Sequence, residues 1–194
     1  MGLLVNVFIR LSIIYFLGEV LLNPEDSRFA GKAIPIRNLI IVLTFSMLIP
    51  ALYFWHKKGG PQLLRGQSRD QSYPIWEDNL YLSLFWLDMA GNSFNLYDTY
   101  QYFDLLPHFH GTGALAVLLA GPFGLSFLST IGIAHLIHTI LEAQEYYTDV
   151  FFNTHNVRGI WDTVNDLVAG IVAAVVYTGI YFWIGSRANN RDLT

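Results

Sequence analysis

The 194-residue sequence contains no cysteine, which excludes disulfides and thiolate metal ligands and says nothing about redox compartment. It is also short of charge. Asp, Glu, Lys and Arg make up 13% of the residues, about half of the ~25% usual in soluble domains. The 11 basic residues against 15 acidic ones form no dense tract, so nothing supports nucleic-acid binding. No low-complexity segment, internal repeat or break in composition marks a second domain. What is present is apolar: 53% of the residues are hydrophobic and 15% aromatic. This is the composition of an all-α polytopic membrane protein, a single membrane domain over 1–194 with no soluble domain.

Six apolar segments, over 1–22, 37–55, 77–97, 104–121, 126–146 and 161–185, are each of about the length that crosses a bilayer as a helix. In the first, Asn6, Arg10 and Glu19 lie within the apolar run. A secretory signal would place its charge ahead of the run, so this segment is expected to be a retained helix. Pro50 is expected to kink the second span, because proline removes a backbone donor. Asp104 is placed to cap the fourth, with Pro107 in its first turn. Small residues of the sixth (Ala169, Gly170, Ala173, Ala174) suit close helix packing.

Basic residues set the orientation. Lys57, Lys58, Arg65 and Arg69 lie in the loop between spans two and three, and Arg187 and Arg191 follow span six. Arg28, Lys32, Arg37 and Arg158 fall on the opposite side. The excess places both termini in the cytoplasm. The acids and histidines then gather in the outer half of the bilayer.

The chief polar feature is His135-Leu-Ile-His138-Thr-Ile-Leu-Glu142-Ala-Gln-Glu145. At 100° per residue its histidines and glutamates share an arc of about 80° on one helix face, and Asp149 would join them if the helix ran that far. Asp88, Asn92 and Asn95 share a face of span three. Asp104 and His108 stand one turn apart on span four, and Asp162, Asn165 and Asp166 line a face of span six. A charged side chain in lipid costs roughly 2.5–3.5 kcal/mol at the helix centre. Several such residues would exceed the ~5–15 kcal/mol that holds a fold together. They must face inward, where they pair, bind a cation or sit protonated.

Imidazoles and carboxylates at helical spacing are the ligand set of Zn, Fe or Mn sites in helix bundles. The candidate ligands are Asp104, His108, His138, Glu142, Asp162 and Asp166, with Glu145 or Asp88 as general base. Each also has a plain structural reading. Asp104 and Asp162 can be helix caps, the Asp88 face interhelical glue, and Glu145 a solvated interfacial carboxylate. His56, His110 and His155 lie off the shared faces or in loops. Tyr97, Tyr100, Tyr102, Tyr146, Tyr147 and Trp161 fit an interfacial aromatic belt.

The stretch Tyr97-Asp-Thr-Tyr-Gln-Tyr-Phe-Asp104-Leu-Leu-Pro-His108-Phe-His-Gly111 resembles the Asp-x-x-x-His-Phe segment of a bacterial inner-membrane family related to the VanZ-like proteins. Glu142-Ala-Gln-Glu145 and Trp161-Asp162-Thr-Val-Asn-Asp166 are similar to that family's later acidic motif and final-helix motif. The likeness covers roughly residues 85–180. It implies a helical fold in a prokaryotic plasma membrane, with Asp104, His108, Glu142, Glu145, Asp162 and Asp166 around one site. It implies no defined reaction and does not extend to His135, His138 or Asp88.

Three functions are consistent with these features. The first is a divalent-metal centre that hydrolyses or transfers a lipid-linked substrate. The second is an assembly subunit of a larger membrane complex, its polar cluster serving as glue, with haem between His108 and His135 or His138 as a variant. The third is a proton- or cation-coupled transporter using Asp88 and the histidine pair, although no inverted repeat or interrupted helix pair points to a carrier.

Overall fold

A computed structural model describes residues 1–30, 32–58 and 73–191. It is 79% helical, with no strand among the described residues. The basic loop residues Arg65 and Arg69 lie outside them. Helix α1 spans Gly2–Leu22 and buries Asn6, Ile9, Ile13, Phe16 and Val20, a series at intervals of three and four. That stripe packs on α4 (Ile75–Ser93): Ile9, Ile13 and Phe16 meet Leu82, Met89 and Ala90 in one apolar cluster. Leu3, Leu4, Phe8, Leu11 and Ile14, on the other side of α1, are exposed.

The second apolar segment is interrupted. Helix α2 (Ile34–Ile40) runs into a π-helical turn over Ile41–Phe45, and helix α3 (Leu48–Lys57) follows. The irregularity precedes Pro50 by one turn, where proline is expected to act. Lacking an N–H, Pro50 leaves the carbonyl four residues back without its helical donor. That carbonyl belongs to Ser46, and Arg10 Nη1 donates to it at 2.7 Å. The proline therefore leaves an acceptor for a cation inside an apolar region.

Helix α4 ends earlier than the expected span. Asn95 adopts a left-handed conformation (φ 56°) and starts the one-turn helix α5 (Leu96–Thr99), so it leaves the face shared by Asp88 and Asn92. Asn92 stays on that face and donates back to the Asp88 carbonyl at 3.0 Å. Helix α6 covers Leu105–Ala120 and α7 covers Phe127–Phe152. Ser126 caps α7 by accepting from the Ser129 amide. This helix runs past the expected end of span five, so Asp149 is helical and the following loop is shorter than expected. Helix α8 spans Ile160–Arg191.

Helices α6, α7 and α8 pack together, and α6 also packs on α4. The junction of the first three is made of small side chains, Ala116, Ala134 and Ala174, each with no exposed surface. Gly113 lies against Tyr177, where an added Cβ would meet the ring at 2.6 Å. Small residues let the backbones approach until side chains from neighbouring helices interleave.

Among the described residues three segments are long and apolar enough to cross a membrane: Gly2–Leu22, Ile34–Trp55 and Ile160–Ser186. Leu105–Ala120 is apolar but shorter. Helices α4 and α7 carry the acids, amides and histidines, which lower their hydropathy.

Candidate functional site

The site forms where α6, α7 and α8 meet. Helical spacing puts His138 and Glu142 one turn apart on α7, facing His108 of α6. His108 Nδ1 lies 3.0 Å from His138 Nε2 and 3.1 Å from Glu142 Oε1, and the last two atoms are 3.2 Å apart. Both α7 residues are 4% exposed. Glu142 Oε1 is buried without a hydrogen bond despite its two imidazole neighbours, and His138 Nδ1 is likewise unpartnered. A buried carboxylate oxygen left in this way is costly unless something else satisfies it.

The triangle has the shape of a ligand set. Ligands about 2.0–2.1 Å from a tetrahedral ion stand about 3.3 Å apart, close to the three distances here. Three protein ligands also leave a fourth position open, as catalytic zinc sites do. On the far side of the His108 ring, Asp104 Oδ1 lies 3.3 Å from Nε2 and Asp166 Oδ2 lies 3.9 Å from it. A carboxylate behind a ligating imidazole fixes the ring and raises its basicity. Asp104 makes no side-chain cap bond to α6, so its carboxylate faces the ring rather than the helix end.

His138 reaches its position because Gly170 of α8 leaves room. A Cβ built on Gly170 would overlap the His138 ring at Nδ1 and Cε1. His135 stands edge-on to His138 with ring centroids 6.4 Å apart, and its Nδ1 is buried without a partner. It belongs to neither of the two groups of donor atoms that gather within 4.8 Å: His108 with His138 and Glu142, and Asp104 with His108 and Asp166.

No protein-family model, curated protein or solved structure matches this chain.

Of the six ligand candidates, Asp104, His108, His138, Glu142 and Asp166 come together. Asp162 does not join them. It lies in the first turn of α8, and its Oδ2 accepts from the Arg158 amide at 2.9 Å, tying the preceding loop to the helix.

The two base candidates belong to a neighbouring network centred on Arg37 of α2. Arg37 Nη2 donates to both oxygens of Asp88 at 2.8 and 3.1 Å. Tyr97 donates its hydroxyl to Asp88 Oδ1 at 2.7 Å, which takes Tyr97 out of the expected aromatic belt. Arg37 Nη1 is 3.8 Å from Glu145 Oε1, an ion pair longer than a hydrogen bond. Sequence reasoning passed over Arg37 and Tyr97, since each sits at the edge of an apolar segment where a loop charge or interfacial ring is the ordinary expectation. The remaining belt residues are exposed: Tyr100, Tyr102, Tyr146, Tyr147 and Trp161.

Two polar groups lie apart from this site. His110 pairs through its two nitrogens with Ser83 Oγ (2.9 Å) and the Tyr177 hydroxyl (3.0 Å), joining α6 to α4 and α8. Asp78, with no exposed surface, accepts from Arg10 (2.6 Å), Asn6 (2.8 Å) and Tyr73 (2.7 Å). Both groups fasten helices together.

Proposed function

We propose that this chain is an integral membrane protein whose six apolar segments bundle around a divalent-metal centre, and that the centre hydrolyses or transfers a lipid-linked substrate. The observation that carries this reading is the triangle of His108 Nδ1, His138 Nε2 and Glu142 Oε1. It is buried, it has ligand-like spacing, and its carboxylate oxygen lacks a hydrogen bond. Zn, Fe and Mn all suit two imidazoles and a carboxylate. When bound, the metal would polarise an ester or phosphoryl oxygen or lower the pKa of water.

The chain's own residues supply the rest. His108, His138 and Glu142 hold the ion, and Asp104 orients His108. Glu145, one turn beyond Glu142, makes no side-chain hydrogen bond to a described residue, pairs with Arg37 only at 3.8 Å, and is the carboxylate that takes a proton. Asp88 is committed to Arg37 and Tyr97, so its role is to position Arg37. Three segments long and apolar enough to cross a membrane support a bilayer location, and the balance of basic residues supports cytoplasmic termini. A lipid-linked substrate suits a centre reached within that apolar surround.

The test is metal analysis of the full chain purified in detergent without chelator, beside a His138→Ala/Glu142→Gln variant. Metal in the wild type and a lower metal content in a variant of unchanged helicity support the reading. A metal-free wild type overturns it and returns the cluster to interhelical glue, the role expected of an assembly subunit.

A further inference from the structure

The His108 ring faces a donor group on each side. Its Nδ1 points to His138 and Glu142, and its Nε2 points to Asp104 and Asp166. Each set of three offers ligand atoms within 4.8 Å of one another. The proposed metal centre accounts for the first set and for one role of Asp104. It leaves Asp166 unexplained.

Asp166 is 3% exposed, its carboxylate makes no hydrogen bond to a described residue, and His108 Nε2 lies 3.9 Å from it. A carboxylate so buried is normally paired or bound to a metal. The surrounding charge leads to the same conclusion. Asp88, Asp104, Glu142, Glu145 and Asp166 gather in this part of the bundle. Among the described residues Arg37 is the only Lys or Arg side chain paired with any of them, a formal excess of four negative charges with the histidines counted neutral. One divalent cation would neutralise half of that excess, and two would neutralise all of it.

We infer that the site takes two divalent cations, with a second ion held by Asp104 and Asp166 at Nε2 of His108 and the His108 ring standing between the two ions. This rests on the single-ion reading above and extends it. With only the first ion bound, Nε2 keeps its proton and shares it in a hydrogen bond with the Asp104 carboxylate. The second ion replaces that proton, which leaves to solvent. Asp104 thereby changes from a residue that orients the imidazole to a ligand. Asp166 has no part in the one-ion centre and becomes essential to the second.

The experiment counts ions. The full chain in detergent is loaded with Mn2+ or Zn2+, freed of excess by gel filtration, and assayed for metal per chain, beside Asp166→Asn and His138→Ala/Glu142→Gln. Two ions in the wild type and one in each variant is the expected result. A wild-type count of one overturns the second ion and leaves the first standing, and a count of zero overturns both. Electron paramagnetic resonance of the Mn2+-loaded wild type gives a measure that does not depend on any variant folding. Exchange-coupled Mn2+ pairs are expected, and a spectrum of isolated Mn2+ alone overturns the proposal.

Discussion

Gly170 of α8 faces the His138 ring so closely that a single methyl group in place of its hydrogen would overlap Nδ1 and Cε1. Packing small residues on one helix thus determines the position of an imidazole on another. Gly170→Ala is expected to displace His138 and to lower stability by about 1–3 kcal/mol through overpacking. Metal affinity is expected to fall by roughly 10–100-fold, as when a group that orients a ligand is disturbed. Gly179→Ala on the same helix meets nothing within 4 Å and serves as the control. Thermal unfolding in detergent and a Zn2+ titration read both effects. Equal behaviour of the two variants would refute the steric account.

Removing Asp78 should be among the most damaging single changes. Its carboxylate has no exposed surface and pairs with Arg10, which Pro50 also helps to seat through the freed Ser46 carbonyl. Asp78→Ala strands the guanidinium, a loss expected to be about 3–5 kcal/mol. Arg10→Met with Asp78→Leu removes both charges and should recover most of it. Midpoints of thermal unfolding across the two variants decide the matter. A double variant no better than Asp78→Ala would show that the damage is not an uncompensated charge.

Asp149 organises the loop into α8. Its carboxylate accepts from Thr154 Oγ1 (2.6 Å), the Val157 amide (2.8 Å) and the Asn156 amide and side chain. Asp149→Ala leaves these donors unpaired and should loosen residues 153–159 by about 1–3 kcal/mol. Amide hydrogen exchange of this loop should accelerate while that of α8 beyond it stays unchanged.

One loop carries a pH dependence with a clear sign. The Arg28 guanidinium, hydrogen-bonded to Asp26, holds the Asp26 carboxyl down from 3.8 to about 2. A carboxyl whose folded pKa is depressed stabilises the fold above its unfolded pKa and loses that contribution as pH falls through the folded value. The tie over residues 26–28 should therefore be intact above about pH 4 and lost as pH approaches 2. Exchange rates of the Arg28 amide, which donates to Asp26 at 3.0 Å, follow it directly. Asp26→Asn should abolish the dependence.

The all-helical character was readable from composition, and a helix boundary was readable where a proline marked it, at Pro107 near the start of α6. The ends of α4 and α7 were not. Asn95 breaks α4 by a left-handed turn that glycine more often supplies, and α7 continues to Phe152, with Asp149 bonded to the loop beyond it. The convergence of Asp104, His108, Glu142 and Asp166 followed from the cost of burying acids, which forces them to share one interior. Arg37 was missed because its partners, Asp88 and Glu145, lie far from it in sequence. Helical periodicity and the family likeness both point Asp162 toward the site, but the nearest donor to a carboxylate in a first helical turn is a local amide, here that of Arg158.

On the proposed metal reading, the alanine junction also bears on ion choice. Ala134 lies one turn before His138 on α7, and Ala174 one turn after Gly170 on α8, both without exposed surface. Methyl groups already in contact cannot be compressed further, and separating them would open a void. The gap between the α6 and α7 ligands is therefore set by backbone contact elsewhere rather than by the ligands. A cation of larger radius, such as Ca2+ with its 2.3–2.6 Å bonds, would have to pry three helices apart to be seated. Discrimination by size would then reside in residues that never touch the ion, and enlarging Ala134 to serine would widen the gap between the α6 and α7 ligands without replacing any of them.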